Sequence, residues 1–120
     1  MSSYKNLIAY KKAFELALKI HAVSRQFPVD EKYSLTDLIR RSSRSVCANL
    51  SEANSRRKYK DYFISKLHDC LSENGETEVW LDFSLSFNYI LPVEHAELIA
   101  LNVEVGKLLN FMINNSDKFL

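Results

Sequence analysis

The chain has 120 residues, 47% hydrophobic and 26% charged, which argues against a disordered chain and suits a single domain over residues 1–120. Two glycines and two prolines exclude a Gly-rich phosphate loop and a many-turned β-sandwich, and leave long helices with few loops. The net charge of +1 hides an asymmetry: residues 1–60 carry 13 Lys/Arg against 5 Asp/Glu (+8), and residues 61–120 carry 3 against 10 (−7).

The start, Met1-Ser2-Ser3-Tyr4-Lys5, lacks the charged-then-apolar layout of a secretory leader, and no apolar run is long enough to span a membrane. The first helix is predicted from about Leu7 to Gln26. Its charges, Lys11, Lys12, Glu15 and Lys19, share one arc, and the remainder is apolar. One stripe holds Leu7, Tyr10, Phe14, Leu18 and His21. The other holds Ala9, Ala13, Leu16, Ile20 and Val23. A small chain cannot bury both stripes, so a second subunit is expected against one of them.

Phe27-Pro28 ends this helix, because the residue before Pro avoids the helical region. After the loop 29–33, Ser34 has the position of an N-cap with Asp37 completing a capping box. The second helix runs to about Asn54 and buries Leu35, Leu38, Ile39, Ser42, Val46, Leu50 and Ala53. Its small residues Ser42, Ser43, Ser45, Ala48 and Ser51 admit a close neighbour. Asn49 falls on the buried arc, where its amide needs partners.

The segment 54–57 is a turn with Ser55 as a cap, and the third helix spans about Lys58 to Asn88. Its stripe is Phe63, Leu67, Cys70, Leu71, Leu81 and Leu85, with Trp80, Phe83 and Phe87 on another side. Gly75 marks a bend or a close contact. Glu78 points inward on this phase and needs a cation, for which Arg41 and Arg44 are the candidates. Ile90-Leu91-Pro92 leads to the last helix, about Val93 to Asn115, with Leu98, Leu101, Val105, Leu108, Leu109, Met112 and Ile113 inward. The fold class is all-α, an antiparallel up-down-up-down four-helix bundle.

The chemistry-bearing residues are few. Cys47 and Cys70 have no CxxC spacing and read as free thiols of a cytoplasmic protein. His21, His68 and His95 are scattered, and neither His68 nor His95 follows a Glu at the di-iron spacing. No metal, cofactor or catalytic group is expected, and Arg41, Asn49 and Glu78 are read as a structural polar core. Arg40, Arg41 and Arg44, then Arg56, Arg57, Lys58 and Lys60, place 7 cations in 21 positions, which suits a phosphate backbone. Tyr59, Tyr62 and Phe63 interleave as candidate stacking platforms. Arg40, Arg44, Arg56, Arg57, Lys58 and Lys60 are the candidate nucleic-acid contacts. The alternative is a structural or protein-interaction scaffold, in which the basic half of one subunit meets the acidic half of the next.

Phe27-Pro28, Glu31-Lys32-Tyr33-Ser34-Leu35, Ile39-Arg40-Arg41-Ser42, Ser45-Val46, Ala48-Asn49-Leu50, Glu52 and Arg56 together resemble the bacterial four-helix-bundle family encoded in intervening sequences of 23S ribosomal RNA genes. Tyr4-Lys5-Asn6-Leu7, Glu76-Thr77-Glu78 and Asn88-Tyr89-Ile90 fit the same family over essentially the whole chain. The family also looks related to the accessory variability proteins of diversity-generating retroelements. Departures from its pattern occur at Glu52-Ala53, Glu73-Asn74-Gly75 and Trp80. The resemblance implies a homo-oligomeric ring, a pentamer, and an RNA or reverse-transcriptase partner.

Overall fold

The computed structural model describes residues 3–120; Met1 and Ser2, part of the start read above, lie outside the described residues. Four helices form: α1 (Ile8–Ser24), α2 (Leu35–Ser55), α3 (Lys60–Ser86) and α4 (Pro92–Asn114), with short 3₁₀ turns at Tyr4–Asn6, Val29–Glu31 and Ser116–Lys118. Each helix packs on two others, in the cycle α1–α2–α3–α4–α1. The side-chain bonds give the directions. Lys12 pairs with Glu104 and Lys19 with Glu97, so α1 and α4 run antiparallel. His21 meets Arg44 while Ser24 meets Arg40, which makes α1 and α2 antiparallel. Tyr62 with Glu52 and Thr77 with Ser42 do the same for α2 and α3.

The helix ends differ in detail from the sequence reading. Ser34 stands at the N-cap of α2 but makes no capping bond, and its hydroxyl donates to Glu31 Oε1 at 2.6 Å. Glu31 reaches on to accept the Leu35 N–H at 3.3 Å, so the carboxylate of the preceding turn caps the helix. Asp37 pairs with Arg41 at 3.5 Å instead of closing a capping box. Ser55 is the last residue of α2, not the cap of α3, and its hydroxyl returns to the Glu52 carbonyl. The stop of α3 uses Asn88 at φ 61, with the Tyr89 N–H bonded back to the Ser84 carbonyl at 2.9 Å, a Schellman closure on an Asn that tolerates the left-handed region.

The core is divided by a polar layer. One apolar cluster centres on Ala13, Val46, Leu50, Phe63, Leu67 and Leu109, the other on Leu16, Ile20, Ile39, Leu81 and Leu98. Between them Ser42 and Thr77 share a hydrogen bond of 2.8 Å. Asn74 and Asn102 clasp each other: Asn74 Nδ2 donates to Asn102 O and Oδ1 at 3.0 and 2.9 Å, and Asn102 Nδ2 donates to Asn74 O at 3.0 Å.

This corrects the expected polar core. Glu78 is exposed and Thr77 is the buried neighbour; Arg41 is exposed and Ser42 is buried. Asn49 is half-buried and donates only to Ser45 O of its own helix, at 2.9 Å. Buried neutral groups satisfy one another without the desolvation cost of a buried ion pair.

The two glycines give opposite expected results. A Cβ on Gly75 would meet nothing within 4 Å, and α3 continues through it. A Cβ on Gly106 would lie 2.9 Å from Asn74 Oδ1, whose amide is already fixed by the Asn102 clasp. The close contact expected at Gly75 is therefore made at Gly106. Gly75→Ala should raise the denaturation midpoint by the roughly 1 kcal/mol of helix propensity. Gly106→Ala should lower it, because overpacking costs about 1–3 kcal/mol. Denaturant titrations followed by circular dichroism read both signs.

Candidate nucleic-acid interface

The antiparallel pairing of α1 with α2 sorts the basic residues into two clusters at opposite ends of α2. Arg40 and Arg56 are separated by about 24 Å at 1.5 Å per residue. At the first end Arg40 Nε donates to Ser24 Oγ at 2.8 Å, and an Arg44 N–H lies 3.1 Å from His21 Nδ1. An arginine only donates, so Nδ1 accepts and the imidazole is neutral. Desolvation, followed by repulsion from Arg40, Arg44 and Arg25, holds the His21 pKa below 6.5. The unfolded chain then takes up the proton first, so this contribution is lost as pH falls through 6.5. An NMR titration should place the His21 midpoint below that of a free imidazole, and Arg44→Gln should move it upward.

At the second end Arg56, Arg57 and Lys58 form the turn between α2 and α3, and Lys60 opens α3. Lys60 is held by Asp117 at 2.9 Å. The Arg56 guanidinium sits 5.7 Å from the Tyr62 ring centroid. No ion pair among the described residues involves Arg56, Arg57 or Lys58.

The three aromatic candidates separate. Tyr59 is exposed, while Tyr62 is tied through its hydroxyl to Glu52 Oε1 at 2.8 Å. Phe63 is 1% exposed and belongs to the core, so it offers no face to a base.

Between the two basic ends an open groove of about 650 Å³ runs along α1 and α2, lined by Tyr4, Tyr10, Phe14, Leu18, His21 and Arg44 among others. Its rings touch in series, Tyr4 to Tyr10 at 5.0 Å and Tyr10 to Phe14 at 5.9 Å between centroids. The stripe of α1 that the sequence left without a core is thus one wall of this groove. Cys47 lies on its floor, and burial pushes that thiol up to about 11. Burial pushes Cys70 up to about 12. Both are protonated at neutral pH and therefore weak nucleophiles.

Sequence spacing missed the way His21 and Arg25 join Arg40 and Arg44. The signal for it is the antiparallel hairpin, which brings the last turn of α1 beside the first half of α2.

The sequence profile of the 23S rRNA-intervening sequence proteins matches residues 5–111, which includes both basic clusters and nearly all of the four helices. The chain belongs to this family. The fold is also matched by a crystal structure from Bacteroides thetaiotaomicron, described as a protein of unknown function from the S23 ribosomal protein family. The TM-score is 0.81 at 28% identity, covering 90% of this chain and 96% of that one. No curated protein matches the chain in sequence. Among the described residues no helix is long and apolar enough to cross a membrane, and no three His, Cys, Asp or Glu are grouped to hold a metal.

Proposed function

We propose that this member of the 23S rRNA-intervening sequence family is a non-enzymatic, homo-oligomeric bundle that binds structured RNA or an RNA–protein complex through the basic residues of α2 and the α2–α3 turn. The observation that carries this reading is the turn Arg56-Arg57-Lys58, three cations in series with no carboxylate in an ion pair with them among the described residues. Such a surface binds phosphates by releasing counterions. The family's association with an rRNA gene supports RNA as the polyanion. Its resemblance to retroelement accessory proteins makes a reverse transcriptase–RNA complex one form of that partner.

An oligomer repeats the basic turn around the assembly, so weak single contacts combine through effective concentration. Long or folded RNA should therefore be retarded in a native gel at lower protein concentration than a short oligonucleotide. Absence of any retarded RNA at about 50 mM salt, where phosphate contacts are strong, would remove the reading and leave the scaffold alternative.

A further inference from the structure

Two surfaces of the bundle complement each other and cannot meet within one chain. The first is the α1/α2 groove, with Phe14 47% and Leu18 58% exposed and the His21–Arg44 pair at one end. The second is an aromatic edge on α3. Trp80, Phe83 and Phe87 follow one another with ring centroids 6.1 and 5.8 Å apart, and Tyr89 continues the line at 5.4 Å. Phe83 and Phe87 are about half exposed, at 46% and 51%.

The net charges around the two surfaces are opposite. Glu73 and Glu76, with Arg41 across from them on α2, line the α2/α3 cleft one to two turns before Trp80 and Phe83, and Glu31 accepts the Tyr89 hydroxyl at the far end. Arg25, Arg40 and Arg44 surround the end of the groove. The edge is also short enough for the groove: Trp80 to Phe87 covers about 10 Å of helix, within the about 16 Å from Tyr10 to His21.

We propose that the acidic aromatic edge of one copy seats in the basic α1/α2 groove of a second copy. This rests on the oligomeric part of the function proposed above and names its interface. The two surfaces differ in sign and lie on different sides of α2, so the contact is heterologous, head to tail, and propagates until a ring closes. It also divides the basic residues by task. Arg40 and Arg44 belong to the subunit contact, while Arg56, Arg57 and Lys58 remain free for phosphate.

Two variants at exposed positions test this without touching the core. Leu18→Asp spoils the groove and Phe83→Asp spoils the edge. Light scattering of wild-type protein at micromolar concentration should give a multiple of 13.9 kDa. Each variant alone should give the single-chain mass with unchanged helical circular dichroism. Mixed together, one intact groove and one intact edge remain, so the pair should form a 1:1 complex and stop there.

If wild type is a monomer, both the oligomeric reading and this interface fall. If wild type is an oligomer and both variants keep its mass, the interface alone is wrong. Light scattering of two further variants tests the division of tasks. Arg44→Glu should lose the oligomer, whereas Arg56→Glu with Arg57→Glu should keep it. Loss of the oligomer in the Arg56/Arg57 double variant, or its retention in Arg44→Glu, overturns the assignment.

Discussion

Phe63→Ala should be the most damaging single substitution in the basic region, although Phe63 directly follows the exposed Asp61 and Tyr62. Its ring is 1% exposed and packs with Val46, Leu50, Leu67 and Leu109. Truncating a buried Phe to Ala costs about 3–5 kcal/mol, out of a total stability of about 5–15 kcal/mol. For a chain of this size the melting temperature should drop by roughly 10–20 °C. RNA affinity, measured well below that temperature, should change little. An unchanged melting temperature with lost RNA binding would instead make Phe63 a stacking platform, and would require α3 to be rotated from its present phase.

The second large effect is electrostatic. Arg56→Glu, Arg57→Glu and Lys58→Glu together replace three attractions for phosphate with three repulsions. Each lost phosphate contact lowers the slope of log affinity against log salt by about 1. The triple reversal should therefore flatten the slope by about 3 and weaken binding by about two orders of magnitude at low salt. Arg56 and Lys58 are exposed and Arg57 is half-buried, and none is in an ion pair among the described residues. Helicity and assembly mass should thus be preserved. Retention of wild-type affinity by the triple variant would move the RNA contact elsewhere on the bundle.

The helices and most core positions are legible in the sequence because apolar spacing reports them directly. Ala9, Ala13, Leu16 and Ile20 in α1, and Leu98, Leu101, Val105, Leu109 and Met112 in α4, are buried where the pattern puts them. The polar layer is harder. In α3 the inward positions are 63, 67, 70, 74, 77, 81 and 84, alternating by four and three. Three of them are Asn74, Thr77 and Ser84, which carry no apolar signal. Counting Leu71 and Leu85, both only half-buried, as fully inward rotates the inferred face toward Glu78. The same error in α2 takes in Leu38, which is 37% exposed, and omits Thr36 and Ser43, which are buried.

The candidate site was legible in charge and not in shape. The run of cations from Arg40 to Lys60 is plain in the sequence, but its division into two ends depends on the hairpin. Lys60 illustrates what spacing cannot show. It is ion-paired to Asp117, a residue 57 positions away brought back by the turn Ser116–Lys118. Arg40 and Arg44 are likewise committed to Ser24 and His21 on the neighbouring helix, which leaves Arg56, Arg57 and Lys58 as the accessible cations. The groove between α1 and α2 has no sequence signature beyond an extra apolar stripe on α1, because a helical wheel does not show where the adjacent helix stops covering it.

RNA binding by the basic turn is tested most directly by the affinity of the wild-type protein for one folded RNA, measured from about 50 to 200 mM salt, the range over which phosphate contacts are titrated away. A bundle that holds phosphates through Arg56, Arg57 and Lys58 gives a steep linear fall of log affinity with log salt, to which those three residues contribute about 3 units of slope. Binding that ignores salt, or no binding at the lowest salt, contradicts it.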